Sequence, residues 1–160
     1  MVTMLIPSDF SSDSVAVGHE AIRALEGEVN VVFAHAFGMP DSDQDLLHSS
    51  YRRKHRKYVT PSFLAEIEDL KDIFSYKVRK VAIDSFYANT SMLLQNYLDY
   101  YGVSLIVYAA QKGYRKLSEE SVELDTFLQL SSCRTVDISA PEFSGTIVAP
   151  PVRIDAGFFS

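Results

Sequence analysis

The chain has 160 residues, 47% of them hydrophobic and 22% charged, with a net charge of −6 and a single cysteine, Cys133. That length suits one domain able to bury a core without staples, and no apolar run is long enough to span a bilayer. The acidity disfavours general nucleic-acid binding, and a lone cysteine excludes an internal disulfide, so a reducing cytoplasm is the expected compartment.

In chain order, Thr3 to Ile6 is a short apolar strand ending at Pro7. No basic residues precede it and its apolar stretch is too short for a signal peptide, so it is read as structure. Ser12 is expected to cap a first helix, with Asp13 near the positive end of the helix dipole. Val15, Ile22 and Leu25 follow at helical spacing until Gly27 stops the run. Val29 to Phe37 is an apolar run short enough for a buried strand. Gly38, Pro40, Asp41, Ser42 and Asp43 read as loop, and Leu46 to Tyr58 is either a charged helix or an excursion. Thr60-Pro61 opens a helix carrying Phe63, Ile67, Leu70 and Phe74 on one face. Lys77 to Ser85 alternates as a strand. Thr90 begins a helix with Leu94, Tyr97, Leu98 and Tyr101 on one stripe, ended by Gly102. Val103 to Ala109 is strongly apolar and predicts a central strand. Ser118 is expected to cap a last helix, with Glu119 and Glu120 in its first turn and Phe127 and Leu130 behind. Cys133 to Ile138 completes the series as a fifth strand.

Five strands alternating with four helices predict an α/β fold: a doubly wound, mainly parallel sheet with helices on both faces. Ligands of such sheets bind beyond the carboxyl ends of the strands at a topological switch point. The loops after strands one and four are therefore the place to look. They carry Pro7-Ser8-Asp9-Phe10-Ser11 and Ala109-Ala110-Gln111-Lys112-Gly113.

Several segments together resemble the universal stress protein family. Leu5-Ile6-Pro7-Ser8-Asp9-Phe10-Ser11 resembles its opening strand followed by P-[ST]-D-x-S. Phe33-Ala34-His35-Ala36 is similar to the end of its second strand, and Ser104-Leu105-Ile106-Val107 to its fourth. Ser121-Val122 sits where its last helix begins with GSV, and Ser132-Cys133 resembles the PC before its fifth strand. The resemblance implies a crevice for ATP or AMP lined by Pro7, Ser8, Asp9, Ala36, Ala110, Gly113, Ser121 and Val122. ATP-binding members carry G-x2-G-x9-G-[ST] after strand four, where glycines let backbone amides approach the phosphates. This chain departs from that pattern. Alanine stands at 110 for the first glycine, only residues 114–119 separate Gly113 from Glu120, and Glu120 replaces the third glycine. A carboxylate at that helix terminus, beside Glu119, predicts repulsion of a triphosphate, partly offset by Lys112, Arg115 and Lys116. The resemblance is therefore to members that do not bind ATP in the usual way.

The remaining signals are weaker. His35, in an apolar strand, is read as a satisfied buried histidine. His48 and His55 have no carboxylate cluster at ligand spacing, so no metal site is predicted. Cys133 is read as a packed thiol, and no G-x-S-x-G elbow or other catalytic motif is present. The basic run Arg52, Arg53, Lys54, Arg56 and Lys57, bracketed by Tyr51 and Tyr58, is read as a solvated face rather than an RNA site, because no stacking platform accompanies it. Residues 140–160 are expected to form an extension of edge segments, with Thr146-Ile147-Val148, Val152-Arg153-Ile154 and Phe158-Phe159 among prolines. The extension is expected to cover a sheet edge or to cross to a second subunit in a homodimer built through the fifth strand.

Overall fold

The computed structural model describes residues 1–38, 55–88 and 90–150. Its elements run β1 (Val2–Pro7), α1 (Ser12–Ala24), β2 (Val29–Phe37), α2 (Pro61–Ile73), β3 (Val78–Tyr87), α3 (Ser91–Tyr101), β4 (Leu105–Tyr108), α4 (Leu124–Leu130) and β5 (Arg134–Asp137). The five strands form one sheet in the order β3-β2-β1-β4-β5, and every pairing is parallel. This is the predicted doubly wound sheet, and the order reverses between β1 and β4.

Strand parity divides the core into two layers. Met4, Ile6, Val31, Phe33, Leu105 and Val107 point to the face covered by α1 and α2. Leu5, Val32, Ala34 and Ile106 point to the face where α3 and α4 contribute Leu94, Leu98 and Phe127. Burial on both faces explains why β2 reads as a continuous apolar run rather than an alternation. Local chemistry sets the helix boundaries. The Thr60 hydroxyl accepts from the Phe63 N–H at 3.1 Å, with Pro61 at the first helical position, and Thr90 does the same for Leu93 at 3.2 Å. Gly102 takes the left-handed conformation, φ 67°, that ends α3.

Two expectations are corrected. The first helix is capped by Ser11 rather than Ser12, with no side-chain cap bond. More consequentially, Ser118 does not cap a helix and Glu119 and Glu120 do not occupy a first turn: α4 begins only at Leu124, after Glu123. Residues 117–122 are pulled instead onto the end of β2. Ser121 bridges Phe37 in an antiparallel contact. The Val122 N–H donates to the Ala36 carbonyl at 2.9 Å, and the Gly38 N–H to the Glu120 carbonyl at 2.6 Å. These backbone bonds outcompete the propensity of a serine followed by two glutamates to start a helix. The carboxylate of Glu120 therefore does not stand at a helix N-terminus.

The segment after β5 folds back on its own chain. The Ile138 N–H extends the ladder to the Tyr108 carbonyl at 2.9 Å, and the Ile147 N–H donates to the Ala24 carbonyl at 3.0 Å. Ile147 is buried at the end of α1, with Phe143 packed against the same layer. Val152 to Ile154 and Phe158-Phe159 lie outside the described residues, as do Arg52, Arg53, Lys54, Tyr51 and His48. Of the basic run, residues 55–58 form one 3₁₀ turn. There His55 reaches Ser85 at 3.1 Å and Lys57 lies 5.2 Å over the Tyr58 ring.

Candidate functional site

The loops after β1 and β4 meet at the switch point, and the chain turns sharply to bring them together. Phe10 takes a positive φ of 58°, a strained conformation for a bulky residue, at a cost of about 1–2 kcal/mol. Packing offsets the strain: the Phe10 ring is buried 5.5 Å from Phe63 and 6.1 Å from His35. The turn leaves the Asp9 carboxylate facing the loop after β4.

Asp9 is 6% exposed and its oxygens are committed. One accepts from both the backbone N–H and the hydroxyl of Ser11. The other accepts from the Arg115 N–H at 2.9 Å and lies 3.5 Å from the Arg115 guanidinium, which also donates to the Asp9 carbonyl at 3.3 Å. Burial pushes the carboxyl pKa up, but the Ser11 hydroxyl, the Arg115 N–H and the Arg115 charge outweigh it and leave it below the ordinary value.

This latch holds the preceding residue, Tyr114, inside the crevice. The Tyr114 hydroxyl accepts from the Ala36 N–H at 2.9 Å. Its ring stacks on His35 with centroids 4.8 Å apart and planes at 14°, and stands 6.3 Å from Phe127. Burial pushes the phenol pKa up, so it remains neutral. Gly113 makes the entry possible. Its φ of 81° with ψ of 176° is a conformation almost confined to glycine, and no atom lies within 4 Å of where a Cβ would stand. Gly113 is thus required by the backbone turn rather than by a close approach to its surroundings.

Behind Tyr114, the fully buried His35 joins the two loops. Its Nδ1 lies 2.8 Å from the Ser8 carbonyl and its Nε2 lies 2.8 Å from the Ser121 hydroxyl. A carbonyl can only accept, so Nδ1 carries the proton. The Ser121 oxygen already accepts from the N–H groups of Leu117 at 2.9 Å and Ser118 at 3.2 Å, so its own proton goes to Nε2. The neutral Nδ1–H tautomer satisfies every partner. Burial pushes the imidazole pKa down to about 4; the Ser8 carbonyl and Asp9 oppose that, and Arg115 adds to it.

The structure brings Pro7, Asp9 and Gly113 together around a cavity of about 20 Å³, which Ser14, Ala109 and Tyr114 also line. That is room for about one water molecule. Ser8 turns away to the Ser14 hydroxyl at 2.9 Å. Ala36 and Val122 are joined by backbone, and the Ala110 N–H is held by the Asp137 carboxylate at 3.1 Å. Asp9, the Ala36 N–H, the Ala110 N–H and Ser121 therefore all have partners within the chain. A nucleotide taken between these loops has to replace those partners. Sequence reasoning missed Tyr114, and gave Arg115 only a part in offsetting charge rather than its contacts with Asp9. The signal available was an aromatic residue placed directly after Gly113, in a loop whose other glycines are replaced.

No protein-family model matches the sequence, and no curated protein is significantly similar to it. Solved structures of similar fold include a universal stress protein in complex with cAMP, at 14% identity and a TM-score of 0.47, covering 85% of this chain and 95% of that one. A universal stress protein family member from Burkholderia pseudomallei is 15% identical, with a TM-score of 0.42 over 86% of this chain and 96% of that one. A hypothetical protein is 16% identical, with a TM-score of 0.47 over 85% of this chain and 94% of that one.

Proposed function

We propose that this chain is a universal-stress-protein-like binding or regulatory module, non-enzymatic, that does not take ATP in the manner of the family's ATP-binding members. The observation that carries this reading is Tyr114: its hydroxyl holds the Ala36 N–H and its ring covers His35. A nucleotide entering between β1 and β4 has to displace that ring and break the Asp9–Arg115 contacts. The reason for exclusion read from the sequence, a carboxylate at a helix N-terminus, gives way to occupation of the crevice by Tyr114.

Calorimetric titration of the purified protein with ATP and magnesium is expected to give no saturable heat up to about 1 mM nucleotide. Micromolar binding, or nucleotide released on denaturing the purified protein, counts against the proposal. ATP turnover abolished by Asp9→Ala points instead to an enzyme.

The same reading includes a homodimer through β5 and the segment after it, in the reducing cytoplasm that a lone cysteine fits. Among the described residues β5 has a strand neighbour on one side only. The Arg134 guanidinium donates to the Val148 carbonyl at 2.8 Å, holding a 70% exposed valine beside that strand. Deleting residues 141–160 is expected to convert a sedimenting dimer to monomer and to lower solubility. An unchanged oligomeric state and solubility would remove the segment from the interface.

A further inference from the structure

While the crevice at the carboxyl ends of the strands is filled, the opposite end of the sheet is open. A groove of about 720 Å³ runs along the start of the edge strand β3, within the size range of small-molecule sites. Its floor follows from the register. Thr3 pairs with Asn30 and Asn30 with Lys80, and each lies two residues before Leu5, Val32 and Ala82, so all three side chains share the α3 face. Its wall is the last turn of α3. There Tyr100 is 81% exposed and stands edge-on to Tyr101, with centroids 5.0 Å apart and planes at 89°.

Three features of this groove point to a ligand chemistry. Among the described residues no aspartate or glutamate lines it, in a chain of net charge −6. Arg79 at its rim is paired with Glu28, whereas the exposed Lys80 has no carboxylate within salt-bridge distance among the described residues. Among the described residues the Asn30 side-chain oxygen is buried without a hydrogen-bond partner, an arrangement costing about 1–3 kcal/mol. Rotation of the amide presents either its donor or its acceptor end. The exposed Tyr100 ring offers a flat surface beside the cation.

We infer that this groove is a binding site for a small planar organic anion, such as a hydroxylated aromatic carboxylate. Lys80 meets the charge, Asn30 the hydroxyl and Tyr100 the ring. The site is separate from the β1–β4 crevice and independent of whether nucleotide enters there.

The test is titration of the isotope-labelled 160-residue chain with 2-hydroxybenzoate, followed by amide chemical shifts. Saturable shifts at Thr3, Asn30, Lys80 and Tyr100 are expected, with a dissociation constant of about 1 mM or tighter. Lys80→Glu, at an exposed position, is expected to weaken binding about tenfold, and the uncharged 2-hydroxybenzamide to bind about tenfold more weakly than the acid. Tyr100→Ala is expected to weaken both compounds. Absence of saturable shifts up to about 10 mM, equal affinity for acid and amide, undiminished binding by Lys80→Glu, or shifts confined to Asp9 and Gly113 each overturns the assignment.

Discussion

Lowering the pH from about 7 to about 4 is expected to remove about 3 kcal/mol of folding stability through His35 alone. In the unfolded chain the imidazole titrates near 6.5; in the fold its pKa is pushed down to about 4. Between those values the unfolded state binds the extra proton, so stability is fully present above about 6.5 and falls as the pH drops toward 4. The cause is geometric. A second ring proton would have to point at a Ser121 oxygen that already accepts two backbone N–H groups, and the charge would be buried beneath Tyr114. His19 and His55 are also shifted down, mainly by burial, and act in the same direction, so the wild-type curve alone does not isolate His35. Chemical denaturation at a series of pH values, comparing wild type with His35→Gln, separates them. The variant is expected to be less stable at neutral pH and to show a flatter slope between about 6.5 and 4. Equal slopes for the two proteins would show that His35 is not held neutral by the fold.

The architecture was legible because the patterns that encode it are local and mutually consistent. Apolar runs such as Val29 to Phe37, threonine caps at 60 and 90 and the stop at Gly102 each have one dominant physical reading, and the sheet order places β1 beside β4 as the alternation implies. Legibility failed at residues 114–123. Ser118-Glu119-Glu120 carries a sound helix-start signal, but two backbone bonds to the end of β2 hold it in another conformation. No local pattern announces a contact between residues so far apart in sequence. The site shows the same division. His35 in an apolar strand is readable as a buried, satisfied histidine from composition alone. That Ser8 and Ser121 are its partners, and that Tyr114 covers it, depends on loops whose meeting only the folded chain defines. The departures at Ala110 and Glu120 did signal that the phosphate pattern is altered. What the sequence did not disclose is that Tyr114, from the same loop, stacks on His35 and holds the Ala36 N–H.

Asp9→Ala is expected to destabilise the protein by about 3 kcal/mol and to release residues 113–117 from the crevice. The carboxylate holds two places in the chain at once: Ser11, where α1 begins, and the Arg115 N–H in the loop after β4. Removing it leaves a part-buried Arg115 N–H without its acceptor and the exposed Arg115 guanidinium without its anion. The penalty is that of an unsatisfied donor rather than of a lost surface ion pair. Because Tyr114 adjoins Arg115, the loss passes to the ring stacked on His35. Amide hydrogen exchange is therefore expected to accelerate selectively at 114–117, relative to the β1–β2 pairing. Asp9→Asn keeps one acceptor but turns an amide donor toward either Ser11 or Arg115, so its stability is expected to fall between wild type and alanine. In acid the wild type is expected to approach Asp9→Asn, since protonating Asp9 mimics the asparagine. Its pKa is held below the ordinary value, so this contribution is present above the unfolded carboxyl pKa and is lost only as the pH falls through the folded one, below the His35 transition. A two-step acid profile, with the upper step reduced in His35→Gln and the lower reduced in Asp9→Ala, is the outcome that links latch and ring; His19 and His55 keep part of the upper step and Asp137 part of the lower. If Asp9→Ala melts like wild type and the loop exchanges no faster, the carboxylate only shapes the turn before α1, and Tyr114 holds its place without it.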